Sequence, residues 1–130
     1  MKEETISRIA VIILSIVLGA FGIYHFVHPS DMLMFVPNFL PGTRETWIFG
    51  VYIVGAVITL AALAFLTHKY VKLAGYCLAV LLFAFVLLIH IPTYTTAGDV
   101  DSRTNAFIDI FQDAAIAAFA MYIASNSKKI

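Results

Sequence analysis

Four apolar stretches, each close to the roughly 20 residues that an α-helix needs to cross a bilayer, occupy most of this chain, at about residues 9–27, 47–66, 73–91 and 106–124. The connections between them are short: "HPSDMLMFVPNFLPGTRE", "THKYVK" and "PTYTTAGDVDSRTN". Pro29, Pro37, Pro41 and Gly42 punctuate the first, and Pro92 and Gly98 the third. With 130 residues, nothing is left for a second domain or a linker, so residues 1–130 read as one transmembrane unit. The expected fold is an all-α integral membrane protein, an antiparallel four-helix transmembrane bundle. A short re-entrant or interfacial segment is expected in the first loop, where "DMLMFV" is apolar enough to dip into the membrane interface or cover the bundle mouth.

Composition supports a lipid solvent. Hydrophobic residues make up 62% of the chain and charged ones 12%, with a mean hydropathy of +0.94. A soluble domain of this size leaves too much of its surface wet to hide that much apolar area. The net charge is zero and no basic block occurs, which argues against nucleic acid as a partner. A single cysteine, Cys77, excludes an intrachain disulfide, a CxxC redox pair and a cysteine zinc cluster. The start, "MKEETISR", carries Glu3 and Glu4, and no A-x-A site follows the first apolar run. The run is therefore expected to stay attached as a first span.

Lysine and arginine set the orientation. Lys2, Arg8, Lys69, Lys72, Lys128 and Lys129 flank one side of the spans, against Arg44 and Arg103 on the other. The positive-inside rule then puts both termini in the cytoplasm and the first and third loops outside, in the cytoplasmic (inner) membrane. Tyr24, Trp47, Tyr52 and Tyr94 suit an outer aromatic belt, and Tyr70, Tyr76 and Tyr122 an inner one.

In that orientation the polar residues of the spans converge on one level. His25 and His28 end the first span, Arg44 and Glu45 begin the second, and His90 ends the third. Asp109, Gln112 and Asp113 open the fourth within "NAFIDIFQDAA", spaced i, i+3, i+4 on one helical stripe. Each aspartate costs roughly 2.5–3.5 kcal/mol at a membrane helix centre, and each strong apolar residue returns roughly 0.3–0.6 kcal/mol. The fourth span is thus marginal alone, and its acids are expected to face partners or water. Small residues (Ser15, Gly19 and Gly22; Gly55 and Thr59; the alanines of 114–124) offer faces for close helix approach.

Three readings of the cluster compete. Asp109 beside Arg44, Arg103 or a histidine is a structural ion pair pinning the fourth span. The alternative is a ligand or proton pocket built from His25, His28, Arg44, His90, Tyr94, Asp109, Gln112 and Asp113. A metal site using His25, His90, Asp109 and Asp113 is the weakest, because no H-E-x-x-H or C-x-x-C motif accompanies it.

"HFVHPSDMLMFVPNFLPG", followed by "WIFGVYIVGAVITLAALAFL" and "THKYVKLAGYCLAVLLFAFVLLIHIPTY", resembles the DoxX family of small four-span membrane proteins. His25, Phe26, His28 and Pro29 match the end of that family's first span, and Pro37, Leu40 and Pro41 its loop. Tyr52 and Gly55 match its second-span core, and Lys69, Leu73, Ala74, Gly75 and Pro92 its third span and corner. Two positions depart: Ile58 stands where many relatives carry glutamate, and Tyr94 where the corner has asparagine. The resemblance implies an accessory role towards a membrane oxidoreductase, since the family is named after a subunit of a thiosulfate:quinone oxidoreductase. Thiol-based quinone reduction needs paired cysteines and is excluded.

The functional expectation is an accessory or small-amphiphile-binding subunit, taking a quinone or lipid, with an outward-facing His/Asp pocket. The alternatives are a membrane enzyme or proton-coupled transporter using the same residues, and a purely structural assembly partner. Expected partners are membrane lipid, a membrane oxidoreductase or further copies of the chain.

Overall fold

Glu3 and Glu4 lie in the first turn of the first helix, where the exposed N–H groups favour negative charge. From there α1 runs uninterrupted over Glu3–Val27. In the computed structural model, which describes residues 1–128 and 130, His28 and Pro29 break α1, and a short α2 (Pro29–Met32) and a 3-10 turn (Leu33–Phe35) follow. These two pieces are the short segment expected in the first loop. Thr43 caps α3 (Arg44–Thr67), its Oγ1 accepting from the Thr46 N–H at 3.3 Å. The third span is composite: α4 (Val71–Phe85), a π turn (Val86–His90) and α5 (Ile91–Thr96). Asp99 caps α6 (Val100–Ser125), accepting from the Ser102 N–H at 2.8 Å. Helices α1, α3 and α6 extend past their apolar runs into polar flanks, where a cap or an acidic first turn carries them. Among the described residues four helical spans, the composite one counted whole, are long and apolar enough to cross a membrane, α6 being the least apolar. Lys129, counted among the flanking cations, lies outside the described residues.

Two antiparallel pairs build the bundle. In α1·α3 the backbones meet at Gly22 and Gly55: a Cβ on Gly55 would lie 2.7 Å from the His25 Cβ and 3.2 Å from the Gly22 carbonyl oxygen. In α4·α6 a Cβ on Gly75 would lie 2.7 Å from the Ala120 carbonyl oxygen. Such contacts are how membrane helices gain van der Waals packing without a hydrophobic driving force between them. The pairs join through a core of small and branched residues, among them Leu18, Ile58, Ala61, Phe65, Leu78, Leu82, Ala117 and Ala120. Ser15 is buried, and its hydroxyl is satisfied within its own helix by the Val11 carbonyl at 2.7 Å. Large apolar side chains such as Ile16, Phe49, Leu60, Val80, Leu88 and Phe111 point outwards, which suits lipid as the surrounding medium.

The π turn has a geometric cause. Leu82, Val86 and His90 are all buried and spaced by four, and in an α-helix each such step drifts about 40° around the axis. A wider turn absorbs that drift, with the Ile91 N–H reaching the Val86 carbonyl five residues back. Pro92, which has no N–H to donate, follows directly. The result keeps His90 on the buried face.

The glycine contact in α4·α6 gives a direct test. Gly75→Val forces a side chain against Ala120 backbone, so we expect a loss of about 1–3 kcal/mol, read as a lower unfolding temperature in detergent. Gly98→Ala, where a Cβ meets nothing within 4 Å, should not lower it through any such clash.

Candidate functional site

The π turn and α6 together create the site's centre. His90 is 8% exposed, and its Nε2 lies 2.9 Å from Asp113 Oδ2. Its Nδ1 lies 4.0 Å from Asp109 Oδ2, an ion-pair distance too long for a hydrogen bond. One imidazole is thus bracketed by two carboxylates a helical turn apart, as the i, i+4 stripe requires. A neutral imidazole can donate through one nitrogen, whereas an imidazolium donates through both. The geometry therefore gives His90 one hydrogen bond, to Asp113, and leaves its second nitrogen at ion-pair distance from Asp109.

Beside this trio lies a cavity of about 480 Å³, within the usual range for small-molecule sites. One wall is the strap of residues 34–39, with Met34, Phe35, Val36 and Phe39 as its apolar surface. The opposite wall is polar: His90, Thr93 and Thr96, then Asp99, Ser102, Asn105 and Asp109. Several of these polar groups are already used. Thr93 Oγ1 donates to the Ile89 carbonyl at 2.6 Å and Thr96 Oγ1 to that of Pro92 at 2.8 Å. The Asp109 carboxylate, by contrast, makes no hydrogen bond among the described residues. Gly42, with φ +134°, ends the strap against the Trp47 indole, a backbone conformation that favours glycine.

The expected pocket residues separate into groups. His90, Asp109 and Asp113 come together. His25 does not join them: it is buried against the α1·α3 contact, and its Nδ1 donates to the Phe21 carbonyl at 2.8 Å. The expectation that imidazoles of both the first and third spans meet the acids is corrected accordingly, because the Gly22–Gly55 approach holds His25 inside its own pair. His28 lies 3.9 Å from Asp31, which accepts from the Tyr24 hydroxyl at 2.7 Å. Arg44 donates to Ser30 Oγ at 3.0 Å, so it steadies the α1–α2 corner rather than pairing with Asp109. Tyr94 packs on Phe107, ring centroids 6.1 Å apart, and Gln112 is exposed; both lie outside the cavity lining. Among the described residues no three His, Cys, Asp or Glu side chains could hold a metal ion, so the low-weight metal set is not assembled.

Sequence reasoning missed the cavity's upper wall. Asp99, Ser102, Asn105 and Asp109 follow one another at i+3 and i+4, the continuation of the acid stripe towards the helix start. That signal was present, but the apolar window began at residue 106 and cut it off. The Asp99 carboxyl is held below the ordinary carboxylate range, first by the Ser102 backbone N–H, then by the Ser102 side chain.

A scan against family models matches residues 14–124 to a family described as a domain of unknown function (DUF8561), and the chain belongs to that family. Neither the curated proteins nor the solved structures contain a match. That description assigns no function, and no match to the DoxX family accompanies it.

Two outcomes are expected. In double-mutant cycles His90 and Asp113 should couple by about 1.5–3 kcal/mol, the range for a hydrogen bond to a charged group, while His90 and Asp109 couple far less. A lowered folded-state pKa means that the Asp99 cap contributes fully above the unfolded carboxyl value of about 3.9 and is lost as pH falls through the folded one. The stability advantage of wild type over Asp99→Ala should therefore shrink between about pH 5 and pH 2, followed by thermal unfolding.

Proposed function

We propose that this member of the DUF8561 family is a membrane-embedded binding subunit that takes the polar head of a small amphiphile into the His90 cavity. The observation that carries this reading is the Asp109 carboxylate, which lies at ion-pair distance from His90 but accepts no hydrogen bond among the described residues, and which lines a cavity whose other wall is apolar. An amphiphile needs such a pairing: apolar contact for its body and a few placed polar groups for its head. The cavity lining holds carboxylates, hydroxyls, two amides and one imidazole, and no lysine or arginine. Acceptors dominate, so the favoured head donates hydrogen bonds, as a hydroxyl of a quinol or of a hydroxylated lipid does. His90 would relay a proton between Asp109 at the cavity and Asp113 one turn deeper only once the bound head group, or a movement of Asp109, bridges the 4.0 Å between Asp109 and the imidazole. Lysine and arginine bias supports both termini in the cytoplasm, with the cavity opening outside the inner membrane. An accessory role beside a membrane oxidoreductase rests on the DoxX resemblance alone.

One observation favours a second reading, a proton-coupled enzyme or transporter. The two nitrogens of His90 face carboxylates at different depths, as a relay would require.

Native mass spectrometry of the detergent-purified protein tests the first reading, together with titration of a short-chain quinol against its quinone. The wild type should retain a small amphiphile or bind the quinol in preference. Asp109→Asn should weaken binding about tenfold or more, the loss of one charged hydrogen bond, with its unfolding temperature little changed. A wild type that binds neither probe, with variants that alter only stability, would leave the trio as a structural clamp.

A further inference from the structure

The opposite end of the bundle holds a second cavity, of about 360 Å³, unconnected to the chemistry of His90. Its floor is apolar, formed by Val11, Phe65, Val71 and Ile123 from all four long helices, and His68 and Lys128 stand at its rim. The surroundings are basic: Arg8, Lys69 and Lys72 lie at the same end. Neither they nor His68 and Lys128 have a carboxylate partner among the described residues. Glu3 and Glu4 sit about two turns further out along α1 than Val11. One acceptor is already in place nearby, a main-chain oxygen of Ile130, which takes the backbone N–H of Lys72 at 3.0 Å.

His68 adds an independent observation. It adopts φ +58°, and Tyr70, two residues on, adopts φ +57°. Left-handed backbone costs an L-residue about 1–2 kcal/mol, and a helix end of this kind is ordinarily closed by glycine. The chain instead keeps an imidazole there, on the rim of a cavity. Strain held at one position is a pointer to a role beyond closing the turn.

We propose that this cavity binds an anionic phospholipid, its phosphate between His68 and Lys128 and the start of an acyl chain along Val11, Phe65, Val71 and Ile123. The chemistry is complementary on both counts. Unpaired cations at a membrane surface attract anionic head groups, and basic pockets between helices on the cytoplasmic side hold them. An apolar floor open to the helix faces suits a chain already in lipid.

The test uses the full-length protein in detergent, with thermal unfolding and native mass spectrometry as readouts. Phosphatidylglycerol should raise the unfolding temperature and appear as a bound adduct, whereas phosphatidylcholine and inorganic phosphate should do neither. Lys128→Gln should weaken phosphatidylglycerol binding about fivefold, equivalent to about 1 kcal/mol per basic side chain. Lys2→Gln, outside the cavity lining, should bind as wild type does. His68→Gly provides the sharper contrast: it should unfold at a higher temperature than wild type without lipid, yet lose most of the phosphatidylglycerol shift. Equal shifts with phosphatidylglycerol and phosphatidylcholine would overturn the proposal. So would an equal shift with phosphate alone, or an unchanged lipid shift in both cavity variants.

Discussion

A carboxylate carried one to two turns into an apolar helix has to meet a partner, and in this bundle His90 hydrogen-bonds one, Asp113, and lies at ion-pair distance from the other, Asp109. Much of this half of the structure can be understood from that requirement. The π turn keeps His90 on the buried face, and the Gly75–Ala120 approach brings α4 and α6 close enough for the imidazole to reach Asp113. The same arrangement leaves Asp109 facing a cavity instead of lipid. The least apolar of the four long helices is thereby held by packing at one end and by a charged hydrogen bond at the other.

The two ends of the bundle differ in kind. At the His90 end an apolar strap lies across a wall of acceptors, and the corner leading into it is tied by Tyr24–Asp31 and Arg44–Ser30. At the opposite end the turn is short, two of its residues are left-handed without being glycine, and cations collect around an apolar floor. Between them the core is packed from alanine, leucine and isoleucine with little polar chemistry. Both candidate sites sit towards the helix ends, one at each end of the bundle.

Particular residues mark how far the sequence could be read. The four spans were legible because a bilayer demands long apolar runs, and the convergence of His90 with Asp109 and Asp113 followed from their matching depth on adjacent antiparallel spans. His25 sits at a matching depth too, yet its ring is spent on the Phe21 carbonyl. Depth alone does not say which way a side chain points, and helix rotation about its axis decides that. Arg44 was a reasonable counter-ion for Asp109 by charge, but the α1–α2 corner placed Ser30 within its reach.

By itself, then, the chain's pattern of apolar runs, prolines and flanking charges determined an all-helical bundle, its four spans and the level at which its polar residues gather. Those are properties of depth and period, and they are written along one dimension. Only the tertiary structure decided which histidine faces the acids, that the first loop roofs a cavity, and that a basic rim surrounds an apolar floor at the far end. Each depends on the rotation and close approach of helices distant in sequence, set by glycine and alanine contacts whose partners no local pattern identifies.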